Sequence, residues 1–471
     1  MALVLYNTRT RREEPFVPLV PGRISMYVCG ITVYDRCHVG HARSLVFFDA
    51  MVRYLRWRGY DVHFVRNITD IDDKIINRAG ERGEDWKALA DRFIGEMHRD
   101  VAALGCAQPD LEPRATDHIA EMLDLIKALE SRGLAYDAGG GDVYFAVDKF
   151  RPYGALSGRN LDDLLSGARV DIDERKHSPM DFALWKSAKP GEPFWPSPWG
   201  PGRPGWHLEC SAMSMRYLGQ TFDIHGGGED LVFPHHENEL AQSCGAYDTD
   251  FVRYWTHHAF VRIDQEKMSK SLGNVFAIED VLREVEAEGL RLHLLSVHYR
   301  SPLDFSPAGI AESTRALVRA YETLARIDEA GLVAPEYDHA SPEVAALVEA
   351  MDADLNTARA IALLFDSMRD ANRAMDAGDA IAAVRAAGIM RAVGRALGFF
   401  AKRPADFLEG YNERGASKAG LSADAIEGLI AERDAARKAK DFARSDAVRQ
   451  ELLAQGIVLE DGPGGTTWRR S

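Results

Sequence analysis

The sequence predicts an α/β fold in which a parallel sheet is split by a short insertion and is followed by helices. Three features near the N-terminus carry this prediction. Residues 23–30 form an apolar run of the length of a buried strand, and residues 61–65 form a second one. Between them, Leu45, Phe48 and Val52 recur at helical spacing before a glycine. This strand–helix–strand order starts a Rossmann-type, doubly wound sheet.

The rest of the chain divides by composition. Strand patterns return at residues 221–225 and 258–263, after an irregular stretch rich in glycine and proline, so we interpret that stretch as an insertion in one sheet. An alanine-rich region with helical periodicity then predicts a helical bundle. The predicted parts are 1–112 (first half of the sheet domain), 113–204 (insertion), 205–265 (second half), 266–306 (lysine loop and its surroundings), 307–400 (bundle) and 401–471 (linker and small C-terminal domain).

The composition excludes several classes of protein. A chain of 471 residues is too long for one core, and a hydrophobic fraction of 46% is typical of a soluble protein. The net charge of −15 argues against a surface that coats nucleic acid generally, although a local patch could still bind RNA. No stretch is apolar enough to span a membrane, and the N-terminus lacks the apolar core of a signal peptide. The five scattered cysteines indicate no disulfide framework. We therefore expect a cytoplasmic protein without membrane contact, and we expect a monomer.

Two short segments predict phosphate chemistry. His38 and His41 flank Gly40 at the start of the first helix, where helix amides at the edge of a parallel sheet favour an anion. Such a histidine pair alone is more often a surface feature. Lys267 and Lys270 are separated by small residues after the last predicted strand, which suits a loop that neutralises a polyphosphate. Because both segments follow strands of one predicted sheet, together they predict a site for a nucleoside triphosphate.

A further set of residues indicates a metal site. Two thiolates, an imidazole and a carboxylate form a reasonable zinc set, although each cysteine alone is more often a buried small side chain. The candidates are Cys29, Cys210, His235 and Glu239. A helix that opens at Pro234 would place the last two on one face. Cys37 is an alternative thiolate, and His236 is an alternative partner for the glutamate.

These segments resemble the signatures of class I aminoacyl-tRNA synthetases, and nearly the whole chain resembles the cysteinyl-tRNA synthetase family. The motifs include Tyr27-Val28-Cys29-Gly30, Asn67-Ile68-Thr69-Asp70-Ile71-Asp72-Asp73-Lys74, Gly205-Trp206-His207-Leu208-Glu209-Cys210-Ser211 and Gly226-Gly227-Gly228-Glu229-Asp230-Leu231. The resemblance implies that ATP and L-cysteine react to cysteinyl-adenylate, and that the cysteinyl group then passes to the 3′ end of tRNA(Cys). It also implies Mg²⁺ with ATP, and one Zn²⁺ per chain that binds the substrate thiolate.

The resemblance assigns roles to individual residues. The zinc ligands it implies are Cys29, Cys210, His235 and Glu239, rather than Cys37 or His236. The catalytic residues it implies are His38, His41, Lys267 and Lys270. The ATP-binding residues it implies are Gly40, His41, Gly228, Asp230, His257 and Lys270. The substrate pocket would contain Cys29, Thr69 and Trp206, and the anticodon would be read by Arg437, Asp446 and Asp461.

Two other functions fit part of the pattern. A cysteine:glucosaminyl-inositol ligase of mycothiol synthesis would share the histidine, lysine and zinc motifs, but the residues from Ser417 onward favour tRNA as the acceptor. A zinc-dependent RNA-binding protein without catalysis is the second alternative. Paired histidines and lysines argue against it, because RNA binding alone would not need them.

Overall fold

The computed structural model describes residues 2–159, 175–263, 266–267, 275–418, 423–462 and 465–470. Its first part is a hairpin followed by one half of a parallel sheet. In chain order the elements are β1 (Val4–Asn7), β2 (Arg12–Pro15), β3 (Arg23–Val28), α1 (Val39–Trp57), β4 (Asp61–Arg66), α2 (Asp73–Arg82) and α3 (Trp86–Ala103). The predicted strand–helix–strand unit is confirmed. The hairpin of β1 and β2 was not predicted.

The next part is a unit with a sheet of its own. It contains α4 (Ile119–Ser131), β5 (Ala135–Asp137), β6 (Val143–Phe145), β7 (Phe182–Ser187) and β8 (Gly202–Pro204). These four strands are antiparallel and lie in the order β5-β6-β7-β8. Phe145 and Trp185 are fully buried in a core that also contains Leu208 and Leu240 from the part that follows. The unit is thus packed firmly against the second half of the sheet domain.

The second half completes the parallel sheet. Its elements are α5 (Trp206–Leu218), β9 (Phe222–Gly228), α6 (Glu237–Tyr247) and β10 (Val252–His258). The strand order is β10-β9-β3-β4, and every pair is parallel. Met26 on one face of β3 belongs to one core and Tyr27 on the other face belongs to the second. Because both faces are covered, the central strand β3 is a nearly continuous apolar run rather than an alternating pattern. The split sheet is confirmed.

One predicted strand was misplaced. The last strand of the parallel sheet is β10, whereas residues 258–263 were expected there. Instead β11 (Val261–Ile263) leaves the sheet and pairs with β12 (Glu266–Lys267) and, beyond α7 (Ile278–Glu284) and α8 (Ala287–Leu295), with β13 (Leu303–Asp304). The sequence did not predict β10, because two of its buried residues, His257 and His258, are polar.

The helix expected to open at Pro234 starts with a wide turn. Phe233 has extended backbone angles, the helical backbone resumes at Pro234 within the wide turn of Val232–His236, and the regular α-helix α6 starts at Glu237. His235 therefore lies in this turn and not in the first turn of α6. His235 and Glu239 nevertheless lie side by side, because they are four residues apart in a continuous helical backbone.

The C-terminal third is helical up to a final hairpin. The bundle contains α9 (Pro307–Glu329), α10 (Ala345–Asp352), α11 (Thr357–Asp376) and α12 (Ala380–Leu397), and it is followed by α13 (Pro404–Lys418), α14 (Ala423–Lys438), α15 (Phe442–Ala454), β14 (Ile457–Gly462) and β15 (Gly465–Arg470). Phe407 of α13 stacks on Tyr321 of α9 with ring centroids 3.7 Å apart. The last two helices and the hairpin have a separate small core around Val448 and Leu452. Within the described residues, no helix is both long and apolar enough to cross a membrane.

Candidate functional site

A cavity of about 310 Å³ lies at the carboxyl ends of β3 and β9. This is the edge at which parallel sheets bind ligands. Its wall is built from the loop after β3, the first turn of α1, the end of β9 and the start of α5. The predicted residues that line it are Cys29, His38, Gly40, His41, Trp206, Gly228 and Asp230. Residues that are far apart in sequence thus share one enclosed space.

The two signature histidines lie at the N-terminus of α1. His38 is the N-terminal capping residue, and its backbone N–H donates to Nδ1 of His41 at 3.2 Å. The two rings stack with centroids 3.7 Å apart. The imidazoles and the amides of the first helical turn therefore face the same end of the cavity, which suits a phosphate group.

The chain directly after the lysine signature is bonded to the histidine segment. The Val39 N–H donates to the carbonyl of Phe276 at 3.0 Å, and the Ile278 N–H donates to the carbonyl of Cys37 at 3.0 Å. Lys267 ends β12, and Lys270 lies outside the described residues. The residues that follow the lysine signature thus lie beside His38. The strand before the signature does not belong to the parallel sheet, contrary to the prediction.

The structure brings the four predicted metal ligands together at the base of the cavity. Cys29 Sγ lies 3.5 Å from Cys210 Sγ, 3.5 Å from His235 Nε2 and 3.4 Å from Glu239 Oε1. His235 Nε2 and Glu239 Oε1 are 2.9 Å apart. Edges of a tetrahedral zinc site are about 3.3–3.8 Å. The distances between the donor atoms are therefore close to those of a tetrahedral zinc site, and the distance between His235 and Glu239 is slightly shorter.

A second possible set shares two of these residues. Cys29 and Glu239 also lie within reach of His225 and His236, so those four could hold a cation as well. The first set contains two thiolates and the second only one, and soft thiolate ligands favour zinc. His225 Nε2 lies 2.9 Å from Glu239 Oε2, and His236 Nε2 lies 3.3 Å from Cys29 Sγ. In the first set these two histidines are therefore well placed as outer partners that orient the ligands.

Another histidine fixes the metal-facing nitrogen of His235. The Nδ1 atoms of His207 and His235 are 2.8 Å apart. Burial lowers the pKa of His207, so Nδ1 of its neutral ring can accept a hydrogen bond from the Nδ1–H group of His235. Once a metal displaces the proton on Nε2, His235 keeps its proton on Nδ1 and presents Nε2 to the site beside Glu239 and the two sulfurs. This is the tautomer that a metal ligand needs.

The pKa values of the cluster favour a cation. Burial would raise the pKa of Glu239, but His225 and His235 outweigh it and lower that pKa to about 2. Burial would likewise raise the pKa of Cys210, but hydrogen bonds with Cys29 and His235 lower it to about 6. Burial and the neighbouring Cys210 raise the pKa of Cys29, because two adjacent thiolates repel each other. Burial would lower the pKa of His235, but Glu239 and Cys210 raise it to about 10. Without a metal, the protonated His235 thus balances the buried carboxylate, and a bound cation would displace that proton and balance both thiolates.

Three predicted residues have particular surroundings. Trp206 stacks on His235, with ring centroids 3.9 Å apart, and so forms a wall above the candidate metal site. Thr69 is buried, accepts a hydrogen bond from Asn67 at 3.3 Å and is not among the described residues that line the cavity. His257 is also absent from that lining. Its ring lies between His236 and Thr8. Nε2 of His257 is 2.7 Å from Nδ1 of His236, and Nδ1 of His257 is 2.8 Å from Oγ1 of Thr8.

Sequence reasoning gave no role to much of the cavity wall, and Tyr34 and Lys74 are the clearest examples. Both line the cavity, and the Lys74 ammonium lies 5.6 Å from the centre of the Tyr34 ring and 6.0 Å from that of Trp206. Two aromatic faces attract the Lys74 charge, and no carboxylate in the described part of the chain forms an ion pair with it. The signal was present, because Lys74 closes the Asn67–Lys74 motif that carried the family resemblance.

The predicted anticodon residues lie in the C-terminal domain. Asp461 of β14 accepts hydrogen bonds from Arg433 at 2.8 and 2.7 Å and from Arg437 at 3.0 Å. The side chain of Arg433 is only 4% exposed, whereas that of Asp461 is 39% exposed, so this pair links the domain interior to its surface. Arg437 is half exposed and Asp446 lies exposed on α15. Asp461 therefore orients Arg437, and its carboxylate is already engaged.

Family models match almost the entire chain. Residues 15–315 match the class I (C) tRNA synthetase catalytic domain, residues 346–401 match the DALR domain, and residues 419–469 match the cysteinyl-tRNA ligase anticodon binding domain. These three ranges follow the sheet domain, the bundle and the C-terminal domain seen in the structure.

Individual relatives match over their full length. The cysteine–tRNA ligase of Geobacter metallireducens is 55% identical over 100% of both chains. That of Thioalkalivibrio sulfidiphilus is 56% identical over 99% of this chain and 100% of its own. A solved structure of Mycobacterium tuberculosis methionyl-tRNA synthetase with methionyl-adenylate has a TM-score of 0.61 at 16% identity, and covers 85% of this chain and 94% of its own. At that identity the likeness concerns the fold alone.

Proposed function

Because the chain belongs to the cysteine–tRNA ligase family of class I aminoacyl-tRNA synthetases, we propose that the cavity activates L-cysteine with ATP and then transfers it to tRNA(Cys). One observation carries this proposal. The cavity has stacked imidazoles at a helix N-terminus on one wall and a buried set of sulfur, nitrogen and oxygen donors at its base. The first feature suits a phosphate and the second suits a thiol held through zinc.

In the first step the cysteine carboxylate attacks the α-phosphorus of ATP. A bond forms between the carboxylate oxygen and phosphorus, the α–β bridge breaks, and pyrophosphate leaves. His38 and His41 donate hydrogen bonds to the oxygens on which charge develops. Lys267 and Lys270 neutralise the β- and γ-phosphates together with Mg²⁺ that accompanies ATP. Gly40, Gly228 and Asp230 line the part of the cavity next to the histidines, where the nucleoside would lie.

Selection of cysteine rests on the four clustered donors. Zinc held by Cys29, Cys210, His235 and Glu239 would supply a bond to the substrate sulfur that the hydroxyl of serine forms far more weakly. Trp206 covers this base and excludes water, while His225 keeps the carboxylate of the glutamate oriented. Because only sulfur forms the strong bond, binding alone separates the two amino acids and no editing site is needed.

In the second step a ribose hydroxyl of the terminal tRNA nucleotide attacks the carbonyl carbon of the adenylate. The new ester bond forms as the bond to the phosphate oxygen breaks, the proton of the hydroxyl passes to the departing phosphate, and AMP leaves. Thr69, buried behind the loop after β3, would help to position the amino acid through that loop. Exposed Arg437 and Asp446 would contact the anticodon, where splayed bases offer hydrogen-bonding edges.

Exchange of labelled pyrophosphate into ATP tests the first step. Exchange should depend on cysteine and should be near background with serine at equal concentration. Metal analysis of the same sample should give one zinc per chain. If serine supports exchange as well as cysteine does, selection through zinc is wrong. If neither amino acid supports exchange, the activation reaction itself is wrong.

A second assay distinguishes the acceptors. Labelled cysteine and ATP are offered with tRNA(Cys) or with glucosaminyl-inositol, and the labelled product is isolated. We expect label on tRNA alone, since residues 419–469 match an anticodon binding domain. Label on the amino-sugar alone would support the ligase of mycothiol synthesis in place of our proposal.

A further inference from the structure

The candidate cavity opens on one side into a hollow of about 700 Å³. Tyr34, His38 and Lys74 line both spaces, so they border the passage between them. The wall of the hollow also contains Val275 and Ala277, which follow the lysine signature in the chain. In the proposed reaction the α-phosphate lies at the signature histidines, and the β- and γ-phosphates point toward the lysine signature. The bond that releases pyrophosphate therefore breaks in this passage.

Lys74 differs from the arginines around the hollow. Arg36 donates to Glu279 at 2.6 Å, and Arg78 donates to Asp35 at 3.1 Å. Lys74 is exposed, and the described residues offer its ammonium two aromatic rings but no carboxylate in an ion pair. Aromatic rings hold an exposed ammonium only weakly, and a phosphate attracts it more strongly. The charge of Lys74 is therefore available to an anion in the passage.

The backbone of Lys74 is held firmly at the start of α2. Its N–H donates to the carboxylate of Asp72, the N-terminal capping residue, at 2.9 Å. The neighbouring Asp73 accepts a hydrogen bond from Lys186 of β7 at 2.7 Å and another from Arg203 of β8. The insertion thus fixes the start of the helix that carries Lys74. A cation that is positioned before the reaction stabilises developing charge without costly reorganisation.

Building on the proposed function, we infer that Lys74 is a further catalytic residue, which binds the pyrophosphate leaving group. As the cysteine carboxylate bonds to the α-phosphorus, the electron pair of the breaking bond passes to the bridging oxygen. Negative charge thus grows on the β-phosphate, where the Lys74 ammonium stabilises it. His38 and His41 stabilise the α-phosphate at the same time. Pyrophosphate then leaves through the hollow, and Lys74 keeps its proton throughout.

The rate of adenylate formation in a single turnover tests this role. Lys74→Met removes the charge and keeps the length of the side chain, and Lys74→Arg keeps the charge. The matched control is Lys87→Met, which alters an exposed lysine of α3 that is not among the described residues lining either space. At saturating ATP and cysteine, Lys74→Met should be about 100-fold slower than wild type. Lys74→Arg should recover at least about tenfold of this loss, and Lys87→Met should match wild type.

The reverse reaction identifies the group that Lys74 binds. The purified complex of enzyme and cysteinyl-adenylate is mixed with pyrophosphate, and the formation of ATP is followed. Lys74→Met should raise KM for pyrophosphate about tenfold, because one charge-assisted contact to the phosphates is lost. KM for cysteine in pyrophosphate exchange should stay that of wild type.

Three results would overturn the assignment of Lys74 and leave the proposed function standing. Lys74→Met could form adenylate as fast as wild type. Lys74→Arg could be as slow as Lys74→Met, which would show that the charge does not matter. KM for cysteine could rise while KM for pyrophosphate stays unchanged, which would place Lys74 at the amino-acid carboxylate. Absence of cysteine-dependent exchange in the wild-type protein would instead overturn the function on which the inference rests.

Discussion

The substitution Asp49→Asn tests the pair that joins the signature helix to the rest of the molecule. Asp49 lies on α1, and its Oδ2 accepts hydrogen bonds from Arg291 at 2.6 Å and from Arg53 at 2.7 Å. Arg291 of α8 is fully buried and also donates to the carbonyl of Leu397 at 3.0 Å. The asparagine is nearly the same size, so the change removes a charge and leaves the packing.

The expected loss of stability depends on which of the two buried charges loses its partner. Without the Asp49 charge, the hydrogen bonds that the described residues still offer to the Arg291 guanidinium come from two backbone carbonyls and a sulfur, and loss of one partner in a buried pair costs about 3–5 kcal/mol. The reverse change, Arg291→Met, leaves the Asp49 carboxylate with Arg53 and with the Ala107 N–H at 2.8 Å. We therefore expect it to cost about 1–2 kcal/mol, and the double variant to cost less than Asp49→Asn.

Thermal unfolding followed by circular dichroism measures both costs. Asp49→Asn should lower Tm by about 5 °C or more, and Arg291→Met by clearly less. The double variant should recover part of the loss. If the two single variants are equally destabilised, or if the double variant is the least stable of the three, the argument from a stranded buried charge is refuted.

Three further changes have defined outcomes. Cys210→Ser should lose zinc, measured by metal analysis, and reduce cysteine-dependent exchange by more than about 100-fold, because changes to outer partners of a metal alone cost 10- to 100-fold; retained zinc would remove Cys210 from the ligand set. A chain ending at Lys418 keeps the Phe407–Tyr321 stack and should retain exchange while its charging of tRNA falls about tenfold or more; equal loss of both activities would contradict the separation of roles. Burial and the nearby Glu279 raise the pKa of Asp100 to about 6, so stability is lost as pH rises from about 4 to 6. Asp100→Asn should therefore stabilise by about 1–2 kcal/mol at pH 7.5 and by nothing at pH 4, as judged by Tm; an equal gain at both pH values would show that charge is not the cause.

The sheet domain was predictable where local pattern and tertiary environment agree. The strand at 23–28 and α1 follow from an apolar run and a helical repeat, because both elements are covered by apolar cores. The carboxyl end of this unit could also be predicted as a phosphate site, since strand ends and helix starts meet there whatever the sequence. The metal set needed the family resemblance, because its members come from three distant segments.

The remainder depends on contacts that a sequence does not display. β10 contains two histidines that are buried only because other rings surround them, so its pattern is not that of a core strand. The pairing of Asp461 with Arg433 joins β14 to α14, and nothing in either segment distinguishes a paired carboxylate from one that reads a base. His207 could not be assigned a role either, because its effect depends on facing His235 across two elements.

Asp354 shows that the catalytic domain matched by the family model lacks residues on which its own hydrogen bonds depend. The catalytic domain matched by family comparison ends at residue 315, yet Asp354 accepts hydrogen bonds from Tyr6, Tyr299 and Arg300 within or before that range. Its neighbour Asp352 does the same for Tyr54 at 2.6 Å. A fragment cut at residue 315 would expose these donors without acceptors. The smallest fragment that keeps these contacts therefore extends at least to Asp354, just past the end of α10, and an exchange of domains between relatives should include both aspartates.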